Sequence, residues 1–216
     1  MLLVRDSMTS KVVTLSPRTT AAEALATCRD RRIRHLPVLE GKRLVGIVSD
    51  RDLRSAAPVL GDPGRASALE RIELSEVMTG DVVTASPDDP IEEAANMMRE
   101  NRIGCLPVIE NGALVGILTS SDVMEALVQL IGAHEPGSRL VTSMPDRPGT
   151  LAGAAGIFGV LGINIVSVVA GTTQDPPPGE QGPWRAAIFR IDTIDPARAI
   201  ELLERAGYSV LWPPKS

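Results

Sequence analysis

Apolar residues in the first part of the chain change repeatedly between two spacings, which predicts short strands separated by helices. Residues 12–15 form a β-branched run that ends at Ser16 and Pro17, as is typical of a strand that meets a turn. Ser49 follows a later apolar run and is placed to cap a helix. The elements predicted for residues 12–54 are a strand at 12–15, a helix around Ala21, Ala24, Leu25 and Cys28, strands at 36–39 and 44–48, and a helix that carries Asp52.

A tandem duplication accounts for this pattern over the first two thirds of the chain. A shift of 70 positions aligns residues 8–54 with residues 78–124 without gaps, and 21 of the 47 pairs are identical. The second copy therefore predicts a helix at 91–101, strands at 106–109 and 114–118, and a cap at Thr119. Because a unit of about 50 residues buries little surface by itself, we expect the two copies to pack together through their sheets.

The two copies resemble CBS domains, which occur in tandem pairs. The resemblance rests on "MTSKVVTLSP" and "RIRHLPVLEGKRLVGIVSDRDL", and on their partners "MTGDVVTASP" and "RIGCLPVIENGALVGILTSSDV". It implies that each copy folds as strand-helix-strand-strand-helix. The expected domains are a first CBS repeat at 1–60, a linker at 61–73 that leads into a short helix near 66–70, and a second CBS repeat at 74–131.

Each copy places a hydroxyl group three residues before a carboxylate at the start of a helix. The pairs are Ser49 with Asp52 and Thr119 with Asp122. A carboxylate can accept hydrogen bonds from both hydroxyls of a ribose, and a hydroxyl with free N–H groups at a helix start can hold phosphate. By itself the spacing usually marks only a helix cap. Its recurrence within a full repeat favours a binding role.

The resemblance to CBS domains implies adenosine ligands at these positions. AMP, ATP, related nucleotides and S-adenosylmethionine are the candidates, as regulatory ligands and not as required cofactors. Apolar residues of the repeats are expected to sandwich the adenine. The candidate nucleotide-binding residues are Val13, Thr14, Ile33, His35, Pro37, Ser49, Arg51, Asp52, Val83, Thr84, Ile103, Cys105, Pro107, Thr119 and Asp122.

The two copies differ in charge around these candidates. Basic residues of the first copy are Arg31, Arg32, Arg34, His35, Arg51 and Arg54. Uncharged residues at four matching positions of the second copy are Gly104, Cys105, Ser121 and Met124. We expect a polyphosphate to prefer the basic residues, although a phosphate can reach across to the neighbouring repeat of a CBS pair, so the favoured cleft stays open. The alternative is a solvated basic surface. His35 is expected to pack or to line the ligand, because no nucleophile beside it indicates a general base.

The pattern changes after residue 131. Residues 132–137 predict a linker, and the remaining chain predicts a domain at 138–216. Its elements are a strand at 139–143, a helix at 151–161, strands at 164–170 and 186–192, a helix at 196–206 and a strand at 208–211. The order βαββαβ with an antiparallel sheet is the ferredoxin-like arrangement. The expected fold class is therefore mixed α/β (α+β), with a CBS pair followed by a ferredoxin-like domain.

The segment "MPDRPGTLAGAAGIFGVLGINIVSV" resembles the signature of ACT domains. The resemblance weakens at residues 172–184, where a Pro- and Gly-rich insertion separates two strands. It implies an amino-acid ligand at an interface between two ACT units. The candidate ligand residues are Asp146, Arg147, Pro148, Gly149 and Asn164. The alternative is that Pro148 and Gly149 only shape a turn and that the domain only dimerises.

Composition narrows the classes of function. A net charge of −5 and an aromatic content of 2% argue against a nucleic-acid partner. Cys28 and Cys105 form no zinc motif or disulfide framework and fit a reducing compartment. Residues 151–171 carry no charge, but their glycines and their change of period argue against a membrane span. The start "MLLVRDSMTS" lacks the pattern of a signal peptide, so we expect a cytoplasmic protein.

Two CBS repeats with an ACT domain are similar to the acetoin-utilisation protein B group. The resemblance implies a non-catalytic, homodimeric regulator that senses an adenine nucleotide and acts on an unidentified protein partner. We expect no catalytic residues and no metal site, because the sequence has no P-loop, nucleophile elbow, HExxH motif or metal cluster. The alternatives are an enzyme and a dimerisation or scaffold module without a ligand. The intact Asp52 and Asp122 argue against the scaffold.

Overall fold

A computed structural model describes residues 2–56, 64–177 and 179–214 of the chain. The chain divides into two compact units, at 1–126 and 127–216, and each is described by itself. Part of the linker expected at 61–73 lies outside the described residues. No described helix is long and apolar enough to cross a membrane. The uncharged stretch at 151–171 divides between a helix and a strand, in agreement with its change of period.

The first unit repeats one small α/β motif. Its elements are α1 (Val4–Ser7), α2 (Ala21–Arg31), β1 (His35–Glu40), β2 (Arg43–Ser49), α3 (Asp50–Ser55), α4 (Arg65–Leu69), α5 (Leu74–Val77), α6 (Ile91–Asn101), β3 (Cys105–Glu110), β4 (Ala113–Thr119) and the start of α7 (Ser120–Leu130). Strands β1 and β2 pair antiparallel, as do β3 and β4. The mixed α/β fold expected for the repeats is confirmed.

The strand expected at 12–15 is much shorter in the structure. Only Leu15 pairs with a neighbouring strand, through a parallel bridge to Val38. The Leu15 N–H donates to Pro37 O at 3.1 Å, and the Leu39 N–H donates to Leu15 O at 2.8 Å. Ala85 makes the same parallel bridge to Val108 in the second copy. The turn that begins at Ser16-Pro17 ends the pairing directly after Leu15, and residues 12–14 before it form no strand.

The repeats exchange their first segments. Thr9 of the first repeat pairs with Ile117 in β4 through two backbone hydrogen bonds of 2.9 and 3.0 Å. Thr79 of the second repeat pairs in the same way with Ile47 in β2. Val4 accordingly belongs to the core that also contains Leu106 and Leu118 of the second repeat, and Leu74 belongs to the core of the first repeat. Each repeat thus completes the other, as its small size predicts.

Two glycines permit this exchange. A Cβ atom on Gly46 would lie 2.4 Å from the Sδ of Met78, and a Cβ atom on Gly116 would lie 2.3 Å from the Sδ of Met8. Each methionine at the start of one repeat therefore lies directly on a strand of the other. A methyl group at either glycine leaves no room for the methionine as it is placed.

The second unit is a helix-covered antiparallel sheet. Its elements after α7 are β5 (Ser138–Pro145), α8 (Thr150–Val160), β6 (Ile165–Gln174), β7 (Trp184–Ile191), α9 (Ala197–Arg205) and β8 (Ser209–Trp212). The strand order is β6-β7-β5-β8, and neighbouring strands are antiparallel. Phe158 of α8 and Phe189 of β7 meet in the core with ring centroids 5.2 Å apart. The expected βαββαβ order is confirmed.

We expect Gly46→Ala and Gly116→Ala each to lower the free energy of unfolding by about 1–3 kcal/mol, because the added methyl group overpacks against a methionine from the other repeat. Chemical denaturation gives the change. Gly80→Ala is the matched control, since Gly80 is exposed and its Cβ would approach nothing closer than Val45 O at 4.0 Å. Equal unfolding midpoints for all three variants would contradict the proposed role of the glycines.

Candidate functional site

The two hydroxyl–carboxylate pairs form matching capping boxes. Ser49 Oγ accepts the Asp52 N–H at 3.2 Å, and the Ser49 N–H and hydroxyl donate to Asp52 Oδ2 at 3.0 and 2.6 Å. Thr119 and Asp122 repeat these contacts at the start of α7, with 2.7 Å from both the N–H and the hydroxyl of Thr119 to Asp122 Oδ2. Their role as helix caps, which the spacing alone favours, is therefore real in both repeats.

The capping boxes use only one oxygen of each carboxylate. Within the described residues, all hydrogen bonds to Asp52 and Asp122 engage Oδ2. The cap holds each carboxylate in one orientation and leaves Oδ1 available to a further donor. A capping role and a binding role can thus coexist on the same side chain.

Asp52 lies in a cleft that residues of both repeats line. The cleft has a volume of about 360 Å³. Its walls from the first repeat are His35, Ile47, Val48, Ser49, Arg51 and Asp52. Its walls from the second repeat are Thr79, Asp81, Val82, Val83, Arg102, Ile103, Gly104, Cys105 and Pro107. We call it the first cleft, after the repeat that supplies its capping carboxylate.

Asp122 lies in the counterpart, the second cleft, with a volume of about 270 Å³. Its walls from the first repeat are Thr9, Lys11, Val12, Val13, Arg32, Ile33, Arg34 and His35. Its walls from the second repeat are Ile117, Thr119, Ser121 and Asp122. Each cleft therefore combines the carboxylate of one repeat with apolar residues of the other, because the exchanged first segments bring them together.

Most of the candidate nucleotide-binding residues line one of the two clefts, but three lie elsewhere. Thr14 borders a separate surface depression beside Pro17. Pro37 is buried within β1, where it pairs with Ile47. Thr84 is exposed and lines none of the clefts described above. Alternation along the extended segments turns these threonines away from the valines that precede them.

The loop before α8 carries four of the ACT candidates. Asp146 accepts a hydrogen bond from Arg185 at 2.9 Å, and this bond holds the pKa of the Asp146 carboxyl below its usual value. Gly149 adopts a positive φ of 87° at the N-cap of α8, which suits glycine and confirms that it shapes the turn. Arg147 lines a shallow depression that also includes Trp184 and Tyr208.

Asn164, the fifth candidate, is at the other end of the same domain. Ile165, next to it, pairs with Ile191, as does Ser138 at the start of β5. Pro145, next to Asp146, pairs with Trp184 at the opposite end of β7. Within one chain the structure therefore separates Asn164 from the loop by the length of β5, because β5 and β6 run in the same direction.

The comparison with known families decides what these repeats are. The CBS domain family matches residues 4–59 and 74–129, which together make up more than half of the chain. The chain belongs to the CBS-domain family. The ACT domain family matches residues 138–207, so a CBS pair is followed by an ACT domain, as the sequence predicts. Both are regulatory modules.

Curated relatives match the CBS pair. The CBS domain-containing protein YhcV of Bacillus subtilis is 32% identical over 56% of this chain and 81% of its own length. A CBS domain-containing protein of Dictyostelium discoideum is 34% identical over 63% of this chain and 99% of its own. Homoserine O-acetyltransferase of Methanococcoides burtonii is 38% identical over 56% of this chain, but the match covers only 23% of the enzyme.

Solved structures resemble the same part of the chain. A protein from Vibrio cholerae that is assigned to acetoin utilization (AcuB) is 36% identical, with a TM-score of 0.53, over 63% of this chain and 99% of its own. The CBS domain pair of protein MJ0100, in complex with 5-methylthioadenosine and S-adenosyl-L-methionine, is 27% identical over 62% of this chain and 99% of its own, with a TM-score of 0.52. CBSX2 in complex with AMP is 28% identical over 60% of this chain and 99% of its own, with a TM-score of 0.52.

Several cleft residues of this CBS pair were not among the sequence candidates. Lys11 and Asp81 follow the exchanged first segments, and Arg102 ends α6. Arg32 was noted only as part of a basic group. The 70-residue offset relates Lys11 to Asp81 and Arg32 to Arg102, so the repeat itself could have identified them. No local pattern, however, indicates that these positions line the cleft that contains the carboxylate of the other repeat.

Two side chains at the cleft walls, the partly buried His35 and the buried Cys105, have pKa values that shift in opposite directions, and both shifts favour the uncharged form. His35 lines both clefts, and burial, followed by the charge of Arg34, lowers its pKa, although Asp50 and Asp52 oppose the shift. Burial raises the pKa of Cys105 to about 12. At neutral pH both groups are therefore mainly uncharged, so the charge of each cleft comes from its arginine, lysine and aspartate residues.

Proposed function

We propose that the CBS pair binds adenosine ligands in its two clefts and passes their occupancy to a partner protein. The observation that carries the proposal is the composite build of each cleft, in which an oriented carboxylate faces apolar residues of the other repeat. CBS pairs of similar fold hold AMP, S-adenosyl-L-methionine and 5-methylthioadenosine, which supports this ligand class.

Each chemical part of an adenosine ligand has a counterpart in the first cleft. Asp52 Oδ1 accepts ribose hydroxyls while Oδ2 stays in the capping box. The side chains of Val83 and Ile103 provide apolar surface for the adenine. Arg51 and Arg102 are available for a phosphate. Asp122, Val13 and Ile33 have the same roles in the second cleft.

The path to the ACT domain runs through α7. This helix carries Asp122 in its first turn and continues to Leu130. The chain that follows is attached to the ACT sheet, since Ser167 Oγ donates to Ile131 O at 2.8 Å and Arg190 Nη1 donates to Glu135 O at 3.0 Å. A shift of α7 on nucleotide binding therefore reaches β6 and β7 directly.

The remaining parts of the proposal concern assembly and context. An amino acid is the ligand class for the ACT domain, and a second copy of the chain is needed to bring an Asn164 beside the loop at Asp146. The regulator acts in the cytoplasm, consistent with the two free thiols. Likeness to the AcuB structure supports a role in acetoin catabolism.

A scaffold without ligands would leave both clefts empty in a binding screen. An enzyme would need catalytic groups beyond these regulatory modules.

We expect Asp52→Ala and Asp122→Ala each to weaken AMP or ATP binding at its own cleft by about 1.5–3 kcal/mol, the range for a hydrogen bond to a charged group. Isothermal titration calorimetry measures the loss. Removal of the cap also destabilises the fold by about 0.5–2 kcal/mol, so the variants are compared below their unfolding transition. Asp50→Ala is the control, because Asp50 pairs with Arg54 and does not line either cleft. Unchanged affinity in the double variant would exclude ribose recognition by these carboxylates.

We expect the chain to be a two-fold homodimer through the face of the ACT sheet that lies away from α8 and α9. An apolar row crosses all four strands of that face and consists of Val169, Ile188, Val141 and Trp212. Val169 and Trp212 are 38% and 50% exposed. A row of this kind on an open sheet is suited to a second copy.

Light scattering should therefore give a dimer at micromolar concentration, and Val169→Lys should shift it towards monomer by placing a charge within the apolar row. Val160→Lys is the matched control, because Val160 is 86% exposed at the end of α8 on the opposite side of the sheet. A parent chain that remains monomeric over the whole concentration range would contradict the proposed assembly.

We expect AMP to slow amide hydrogen exchange in β6 of the parent chain, and Ser167→Ala to reduce that effect without changing AMP affinity. The variant removes the hydrogen bond that joins β6 to the segment after α7. Ser138→Ala is the control, since it removes a similar 2.7 Å bond to Thr193 O elsewhere in the domain. If AMP slows amide exchange in β6 equally in both variants, the proposed path from α7 to β6 is wrong. A separate measurement of AMP affinity shows that both variants still bind the nucleotide.

A further inference from the structure

The two clefts are built to the same plan but carry opposite charges at one corresponding position. Lys11 lines the second cleft, and Asp81, 70 residues later, lines the first cleft at the same point of its repeat. Each follows the threonine, Thr9 or Thr79, that pairs with the strand of the other repeat. The exchange of first segments thus places a cation in one cleft where the other has an anion.

The remaining charges increase this difference. The second cleft contains three cationic side chains, those of Lys11, Arg32 and Arg34, and the single carboxylate of Asp122. The first cleft contains two cations and two carboxylates, from Arg51, Arg102, Asp52 and Asp81. Within the described residues, none of these five cations takes part in an ion pair that would offset its charge.

Two of the cations occupy an unfavourable backbone position. Arg32 and Arg102 end α2 and α6 in the left-handed region, each with φ of 55°. Glycine is the residue that helices prefer at such an end, because it lacks the steric cost of a Cβ atom. A long cationic side chain at both positions, each on the wall of a cleft, points to a role in the ligand site.

We infer that the clefts select different adenosine ligands, with nucleoside di- or triphosphates in the second cleft and adenosine ligands with an uncharged or cationic 5′ group in the first. The inference rests on the proposed binding of adenosine ligands and adds the basis of selection between the clefts. Lys11 and Asp81 are the residues that set it. A polyphosphate gains attraction from the cationic cleft, whereas Asp81 repels it and attracts a cationic sulfonium.

The test exchanges the two charges. Lys11→Asp combined with Asp81→Lys leaves the net charge and composition of the chain unchanged. Binding of ATP and of S-adenosyl-L-methionine is measured by calorimetry in two backgrounds that isolate the clefts. Asp52→Asn weakens the first cleft and Asp122→Asn weakens the second, and asparagine keeps an oxygen acceptor for each capping box. Lys42→Asp, at an exposed turn outside both clefts, controls for the replacement of a lysine by an aspartate away from the ligand sites.

We expect the parent second cleft to favour ATP, and the exchange to lower its ATP affinity by about tenfold and raise that of the first cleft by a similar factor. Preference for S-adenosyl-L-methionine should move in the opposite direction. Both effects should shrink as salt is raised from 50 to 500 mM, because the two side chains are exposed.

Different results would contradict the proposed function and the inference on ligand selection. If the parent chain binds none of AMP, ATP and S-adenosyl-L-methionine, the proposed function is wrong, and if it binds AMP alone, the inference on selection is wrong. If ATP and S-adenosyl-L-methionine both bind but the charge exchange leaves the ATP preference of each cleft unchanged, ligand sensing stands and the selection by Lys11 and Asp81 is wrong. A loss of ATP affinity in Lys42→Asp equal to that in the exchanged variant would also contradict the inference, because a lysine outside both clefts would then matter as much as Lys11.

Discussion

The contact of each opening methionine with a glycine of the other repeat is the constraint on which the CBS pair depends. Met8 lies on Gly116 and Met78 lies on Gly46, so neither repeat can close its core without its partner. Thr9 and Thr79 of the exchanged segments pair with the strands that end in the capping boxes, and Lys11 and Asp81, which follow them, line the cleft of the opposite carboxylate. The composite clefts are therefore a consequence of the small size of each repeat. A unit of about 50 residues buries little apolar surface by itself, so residues of the other repeat complete its core.

The capping carboxylates show how one side chain can serve stability and recognition together. Oδ2 of Asp52 is fixed by two donors from Ser49, so the orientation of the carboxylate is set before any ligand arrives. A preoriented acceptor loses little conformational entropy on binding, which improves affinity for a given contact. The usual reading of this spacing as a cap is correct, and it does not compete with a ligand role, because the second oxygen lies outside the capping box.

Local features could be predicted from the sequence, and features that depend on distant pairing could not. Helix α6 at Ile91–Asn101 and both capping boxes follow from spacing and cap chemistry, which act within a few residues. The exchange of segments joins Thr9 to Ile117, more than 100 positions away, and no local pattern records it. For the same reason the separation of Asn164 from Asp146 became evident only with the direction of β5 and β6. The left-handed backbone of Arg32 could not be predicted, because the helix pattern ends on charged residues and no glycine marks its end.

Duplication produced two similar clefts in this chain. His35 is one position at which the two clefts differ, because it contributes to the walls of both. Its imidazole lies 3.4 Å from where a Cβ atom of Gly104 would be. Its counterpart Cys105 is a small buried thiol that lines only the first cleft. A ligand that fixes the imidazole from either cleft would therefore change a wall of the other cleft, whereas Cys105 provides no such link. Under the proposed function, the difference in charge and the shared histidine would make the pair more than two copies of one sensor, because a ligand in one cleft would alter a wall of the other.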